Sequence, residues 1–322
     1  MARTAARRSQ QNSNRKKPAS KSIKGSISKF KIESVSFVSE GETCRGDLYL
    51  PLPANRPPLV IMAHGFGGER TFALPSYAKY YAERGIAVLL FDYRCFGTSD
   101  GALRNWISPR RHKQDWRAAI RFGKTLPQID ADRIALWGTS LSAGHVVAVS
   151  AGRNDVRALS LLVPFSDGFS VPVYFPFLFV LKALLRGILD IVLSLFGKVY
   201  TVPIYEKSEN FGLLSTPECW KGYGSIVDHQ SSWRNLAPAR IALTLTMYRP
   251  ILHAKRVKCP VFIVAGEEDS LAPFPTVQKL ARKIPGSMMM VLPTGHFETY
   301  TGDWFEKAAA SQFQFLRDVL FR

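Results

Sequence analysis

Six short apolar runs recur along this chain: PPLVIMAHG, GIAVLLFDYR, RIALWG, VRALSLLVPF, CPVFIVAG and SMMMVLP. None alternates apolar with polar residues. Each therefore predicts a strand covered on both faces, as strands in a parallel sheet are. Segments of helical spacing lie between them. They run over residues 75–83, 110–126 (with Trp116, Ala119, Ile120 and Phe122 on one side), 141–151, 274–283 and 304–321. Ahead of these, KIESVSFVSE and TCRGDLYLPL do alternate, as two antiparallel strands would. Strands separated by helices imply the α/β class: a mostly parallel eight-stranded sheet with helices on both faces.

The alternation breaks between about residues 166 and 254, too long a stretch for a plain loop. The division expected is a basic tail over 1–30, a first core part over 31–165, an inserted helical cap over 166–254 and a second core part over 255–322. The cap opens on the most apolar stretch of the chain, VPVYFPFLFVLKALLRGILDIVLSLFGK. Lys182, Arg186 and Asp190 interrupt it, and Pro172 and Pro176 break its start, which argues against a membrane span. Those three charges stand four apart, and Ser194 and Lys198 continue the row. On a helix they form one polar stripe, leaving a wide apolar face to pack on the core and line a greasy cavity. The alternative is that the helix dips into a bilayer surface.

The formal charge of +18 is concentrated at one end: residues 1–31 hold ten Lys or Arg and no acid. That tail is too poor in large apolar residues to fold alone, and it has no signal-peptide core. It allows three readings: a solvated arm, an organellar import segment in a chain otherwise expected in the cytoplasm, or a contact for an anionic surface such as a peripheral membrane. The body shows no basic stripe, so no specific nucleic-acid partner is expected. Cys44, Cys95, Cys219 and Cys259 have no metal-type spacing, and neither HExxH nor an early GxGxxG occurs. No metal or organic cofactor is implied, and oligomeric state is not readable.

WGTSLSAGH follows the run RIALW. A serine there, Ser140, stands on a sharp strand-to-helix turn with its hydroxyl exposed. The next amide, Leu141, begins a helix and can face a developing oxyanion. A second amide, that of Phe66, lies in HGFGG at the end of an earlier strand, where glycines allow close backbone approach. Asp269, in GEEDSLAP, and His296, in GHFETY, each follow a strand. The order nucleophile, acid, base and the common placement at the carboxyl edge of the sheet suit a Ser-Asp-His triad. Asp167, after VRALSLLVPF, is an alternative acid. His64 precedes the proposed nucleophile, so a structural hydrogen-bonding role is expected of it. Glu267, Glu268 and Glu298 compete less well.

On HGFGG, FDYRCFGTSDG, GTSLS, GEEDSLAP and GHFETY, the chain resembles the α/β-hydrolase superfamily over about residues 31–165 and 255–322. It is most similar to the branch of serine aminopeptidases, Xaa-Pro dipeptidyl-peptidase-like proteins and dienelactone-hydrolase-like esterases. It also resembles fungal acyl-transferring hydrolases of polyketide pathways. Two positions depart from the pattern: Cys95 replaces the glycine usual in DYRGFG, and Ser142 replaces the last glycine of the serine turn. The resemblance implies a serine hydrolase that cleaves an ester or thioester of a hydrophobic small molecule through an acyl-enzyme. Alternatives are a peptidase, an acyltransferase on the same fold, and a non-catalytic binder.

Overall fold

The structure, a computed structural model, describes residues 29–53 and 55–322. Most of the expected basic tail lies outside the described residues. The two alternating segments pair as an antiparallel ribbon, β1 (Phe30–Ser39) with β2 (Glu42–Pro51). The chain then winds through β3 (Leu59–Ala63), α1 (Leu74–Ala82), β4 (Ala87–Phe91), α2 (Pro109–Thr125), β5 (Ile134–Thr139), α3 (Leu141–Ser150) and β6 (Ala158–Leu162). An insertion follows, with α4 (Val171–Tyr174), α5 (Phe177–Ser194), β7 (Thr201–Val202), α6 (Cys219–Ile226), β8 (Ala237–Pro238) and α7 (Ile241–Met247). The core resumes with β9 (Val261–Gly266), α8 (Phe274–Lys283), β10 (Met288–Leu292) and α9 (Gly302–Leu320).

Eight strands form one sheet in the order β1-β2-β4-β3-β5-β6-β9-β10, and only β2 runs against the others. Strands β3, β4, β5 and β6 are buried at every position, which explains their unbroken apolar sequence. Neighbouring residues of β5 show the two covered faces. Trp137 packs against Tyr77 of α1 and donates its indole N–H to Gln312 of α9 at 3.1 Å. Gly138 turns the other way, where a Cβ would lie 2.8 Å from Ala143 of α3. Side chains alternate across a strand, so α1 and α9 cover one face and α3 the other.

The cap helix differs from expectation in how it is cut and how it packs. Pro176 ends α4, so the long apolar stretch is two helices. The row Val180, Gly187 and Asp190 faces inward, against α7, and not the wide apolar side. Gly187 is needed there, because a Cβ would lie 2.8 Å from Leu243. Asp190, expected on the outer polar stripe, is fully buried and held by both guanidinium arms of Arg240 at 2.6 and 2.9 Å. It also accepts from the Tyr200 and Arg240 amides. Burial opposes its charge, but these donors hold its carboxyl below the usual range. Its fixing partner stands fifty residues further on, which helical spacing alone could not reveal. The apolar face is left outside: Leu178, Leu185 and Phe196 are 65%, 56% and 73% exposed.

Candidate active site

Ser140 links β5 to α3 with φ of 53° and ψ of −124°, a conformation a non-glycine residue rarely adopts. Its backbone is tied on both sides: the N–H donates to Leu162 at 2.9 Å, and the carbonyl accepts from Ala143 and Phe165 at 3.1 and 3.0 Å. These bonds offset the strain and fix the turn. Ser142 does not disturb it. Its hydroxyl is buried and meets the Tyr93 hydroxyl at 2.8 Å, and Trp116 donates to that same hydroxyl at 2.9 Å. Cys95 likewise fills a glycine's place, at φ of 75°, held by hydrogen bonds to Asp100 and from Asn105.

The HGFGG loop runs beside the serine. A Cβ on Gly65 would sit 3.0 Å from Ser140 Cβ, so glycine permits the approach. Two cap side chains hold the loop from above: Tyr223 donates to the Phe66 carbonyl and Trp233 to the Gly67 carbonyl, each at 2.8 Å. Among the described residues, neither the Phe66 nor the Leu141 amide is paired with a backbone acceptor. His64 is buried against Tyr93 and Phe96, 3.8 Å from the Asp92 carboxylate that Arg70 holds. Burial pushes its pKa down to about 4, so it is neutral near pH 7. Its Nδ1 lies 3.1 Å from the Gly65 carbonyl, and its Nε2 has no hydrogen-bond partner among the described residues.

Asp269 and His296 meet. The imidazole Nδ1 lies 2.7 Å from one carboxylate oxygen of Asp269, and the other accepts from the Leu271 and Ala272 amides at 2.8 and 2.7 Å. Burial disfavours a charged imidazole, but the Asp269 charge and hydrogen bond outweigh it. The net shift of His296 is upward, with Glu218 adding to it. Asp167 is elsewhere: Arg249 grips it at 2.8 and 3.0 Å. Glu267, Glu268 and Glu298 are exposed.

One residue of this neighbourhood escaped the sequence analysis in any positioning role. Glu218, just before α6, reaches across to both loops. Its Oε1 accepts from the Ser270 amide at 2.8 Å and from the Ser270 hydroxyl, and its Oε2 accepts from the His296 amide at 2.8 Å. These partners are 52 and 78 residues away, so no local pattern marks them.

Ser140, Leu141, Phe66 and His296 line one cavity of about 850 Å³, measured out to its mouth. Its other walls are mainly apolar and aromatic, among them Phe72, Phe165, Phe179, Leu213 and Leu245, and among the described residues no carboxylate lines it. A second apolar chamber of about 460 Å³ adjoins it between α5 and α7, sharing Phe66, Val171, Phe179, Leu213 and Leu245.

Residues 60–308 match the model of the alpha/beta hydrolase family. The chain is 33% identical over 287 residues, 89% of its own length and 94% of the relative's, to the quorum-quenching protein AidA of Acinetobacter baumannii. It is 37% identical over 131 residues to the thiohydrolase aneE of Aspergillus aculeatus, covering 40% of this chain and 41% of that one. The crystal structure of the alpha/beta hydrolase GrgF from a Penicillium species superposes with a TM-score of 0.77 at 23% identity, covering 91% of this chain and all of that one. The fold and these matches define an α/β-hydrolase: the chain belongs to that family. The family supports an enzyme working by hydrolysis or acyl transfer.

Proposed function

We propose that this protein is a serine hydrolase that cleaves an ester or thioester bearing a long apolar acyl group. The observation that carries the proposal is the Asp269–His296 pair opening on the same apolar cavity as the strained Ser140 turn. In the mechanism, His296 takes the proton from the Ser140 hydroxyl as the oxygen attacks the acyl carbonyl. Asp269 fixes the imidazole tautomer and stabilises its charged form. The Phe66 and Leu141 amides receive the oxyanion, each worth about 3 kcal/mol. His296 then protonates the leaving alcohol or thiol, and water activated by the same imidazole releases the acid. The name of the thiohydrolase relative supports a hydrolytic reading that includes thioesters. Acyl transfer to another alcohol or amine is the second reading, favoured by the scarcity of polar groups to hold water around an acyl-enzyme. A peptidase that captures a free amine is less well supported, because Asp190 and Glu218 of the cap are committed to Arg240 and to the two loops.

We assign the second chamber, which is apolar and adjoins the first, to the end of the acyl chain, and Ala183 of α5 lines it. With p-nitrophenyl esters of increasing chain length, Ala183→Phe is expected to lower kcat/KM for the longest by roughly tenfold or more while leaving the acetate ester near wild type. An equal loss at all lengths, or none, would remove the channel from the account.

Glu218 holds His296 and the Asp269 loop in register. Glu218→Ala is expected to lower kcat about 10²-fold with little change in KM, as displacements of catalytic groups do. Glu218→Gln tests the electrostatic part. The imidazole must be neutral to act, so kcat/KM falls as pH drops through its raised pKa. Removing the Glu218 charge takes away one raising influence, so the acid limb should move to lower pH. A limb that stays in place would mean the carboxylate acts only as a brace.

A further inference from the structure

Among the described residues, the outer face of α5 has no partner. Leu178, Leu181, Leu185, Ile188, Val192 and Phe196 recur at three- and four-residue steps from the helix into its C-terminal turn, so they lie on one side. All six are more than a third exposed. Monomeric proteins rarely leave so continuous an apolar strip in water. Among the described residues no helix is long and apolar enough to cross a membrane, so an apolar strip of this kind would be covered lengthwise.

The charges around the strip indicate what covers it. Residues 169–199 contain Lys182, Arg186, Lys198 and one acid, Asp190. Asp190 is buried beneath Arg240. Lys182 and Lys198 are exposed, and the Arg186 guanidinium rests 4.0 Å from the Phe211 ring at the surface. The outward charge along this segment is therefore basic only. Residues 1–28 add eight Lys or Arg and no acid. A second copy of the chain would fit poorly: a two-fold contact would set these bases against themselves, on a molecule of net charge +18.

We propose that the exposed face of α5 docks in the plane of an anionic lipid bilayer, with its apolar strip among the acyl chains and Lys182, Arg186 and Lys198 at the headgroups. Helices α4 and α5 also wall the two chambers, through Val171, Phe175 and Phe179 on one side and Ala183 and Leu184 on the other. The docked face thus adjoins the cavity. Docking itself is independent of the reaction proposed above.

The test is sedimentation of the full chain with phosphatidylglycerol-containing vesicles and with pure phosphatidylcholine vesicles, comparing wild type with Leu185→Glu/Ile188→Glu. Both side chains are exposed, so the variant should keep the wild-type thermal melt, which serves as the fold control. The expected result is wild-type binding to anionic vesicles that weakens with salt and falls at least about tenfold in the variant. Equal binding by variant and wild type would overturn the proposal in favour of the basic tail acting alone. No binding, or a wild-type dimer in solution that the variant makes monomeric, would overturn it in favour of water or a second copy.

Discussion

Ser140→Ala should fold as the wild type does and lose hydrolysis of p-nitrophenyl esters by about 10⁶-fold in kcat, the scale seen when the nucleophile of a triad is removed. The loss is so large because, among the described residues, no neighbouring hydroxyl or thiol is free to replace the serine. Ser142, two residues on, is buried and bound to Tyr93. Thr139 is buried and hydrogen-bonded to Tyr300. The four free cysteines include no substitute nucleophile: burial pushes the Cys44, Cys95, Cys219 and Cys259 thiols up, away from the thiolate form. Substrate binding rests on the apolar walls, so KM should change little. The variant should also be no less stable than wild type, since alanine removes only a hydroxyl that makes no hydrogen bond among the described residues. Retention of more than a hundredth of the activity would contradict this account of the site.

Asp269→Asn should lower kcat about 10⁴-fold. An asparagine keeps the shape but can present an N–H to His296 Nδ1, which selects the wrong tautomer and no longer stabilises the imidazolium. The same change at Asp167 should leave kcat near wild type, because that carboxylate serves Arg249 and the amide of Phe169. The pair of variants separates the two acids that sequence order alone left in competition. A large loss at Asp167 with a small one at Asp269 would reverse the assignment. The acid limb of kcat/KM in the wild type should lie above the ordinary imidazole value, because Asp269 raises the pKa of His296 despite burial.

The sheet was legible because burial on both faces writes itself into sequence as unbroken apolar runs, seen in β3 to β6. The serine turn was legible because its parts are contiguous: Gly138, Ser140 and Leu141 are fixed by one strand-to-helix junction. Asp269 and His296 could be assigned to one triad from their order and the strand each follows, but the contact itself spans 27 residues and depends on how two loops close. The cap was the least legible region. Its polar residues look like a solvated stripe until Arg240 is brought to Asp190, and its apolar face looks like core until α7 takes the opposite side. Glu218 was not legible, because its role lies in three donors drawn from two distant loops.

The central claim is an activated serine at position 140. Its most direct test is reaction with a fluorophosphonate followed by intact-mass measurement and peptide mapping. The account expects one adduct per wild-type chain, on Ser140, and none on folded Ser140→Ala. An adduct elsewhere, or a folded wild-type protein that takes none, would contradict it.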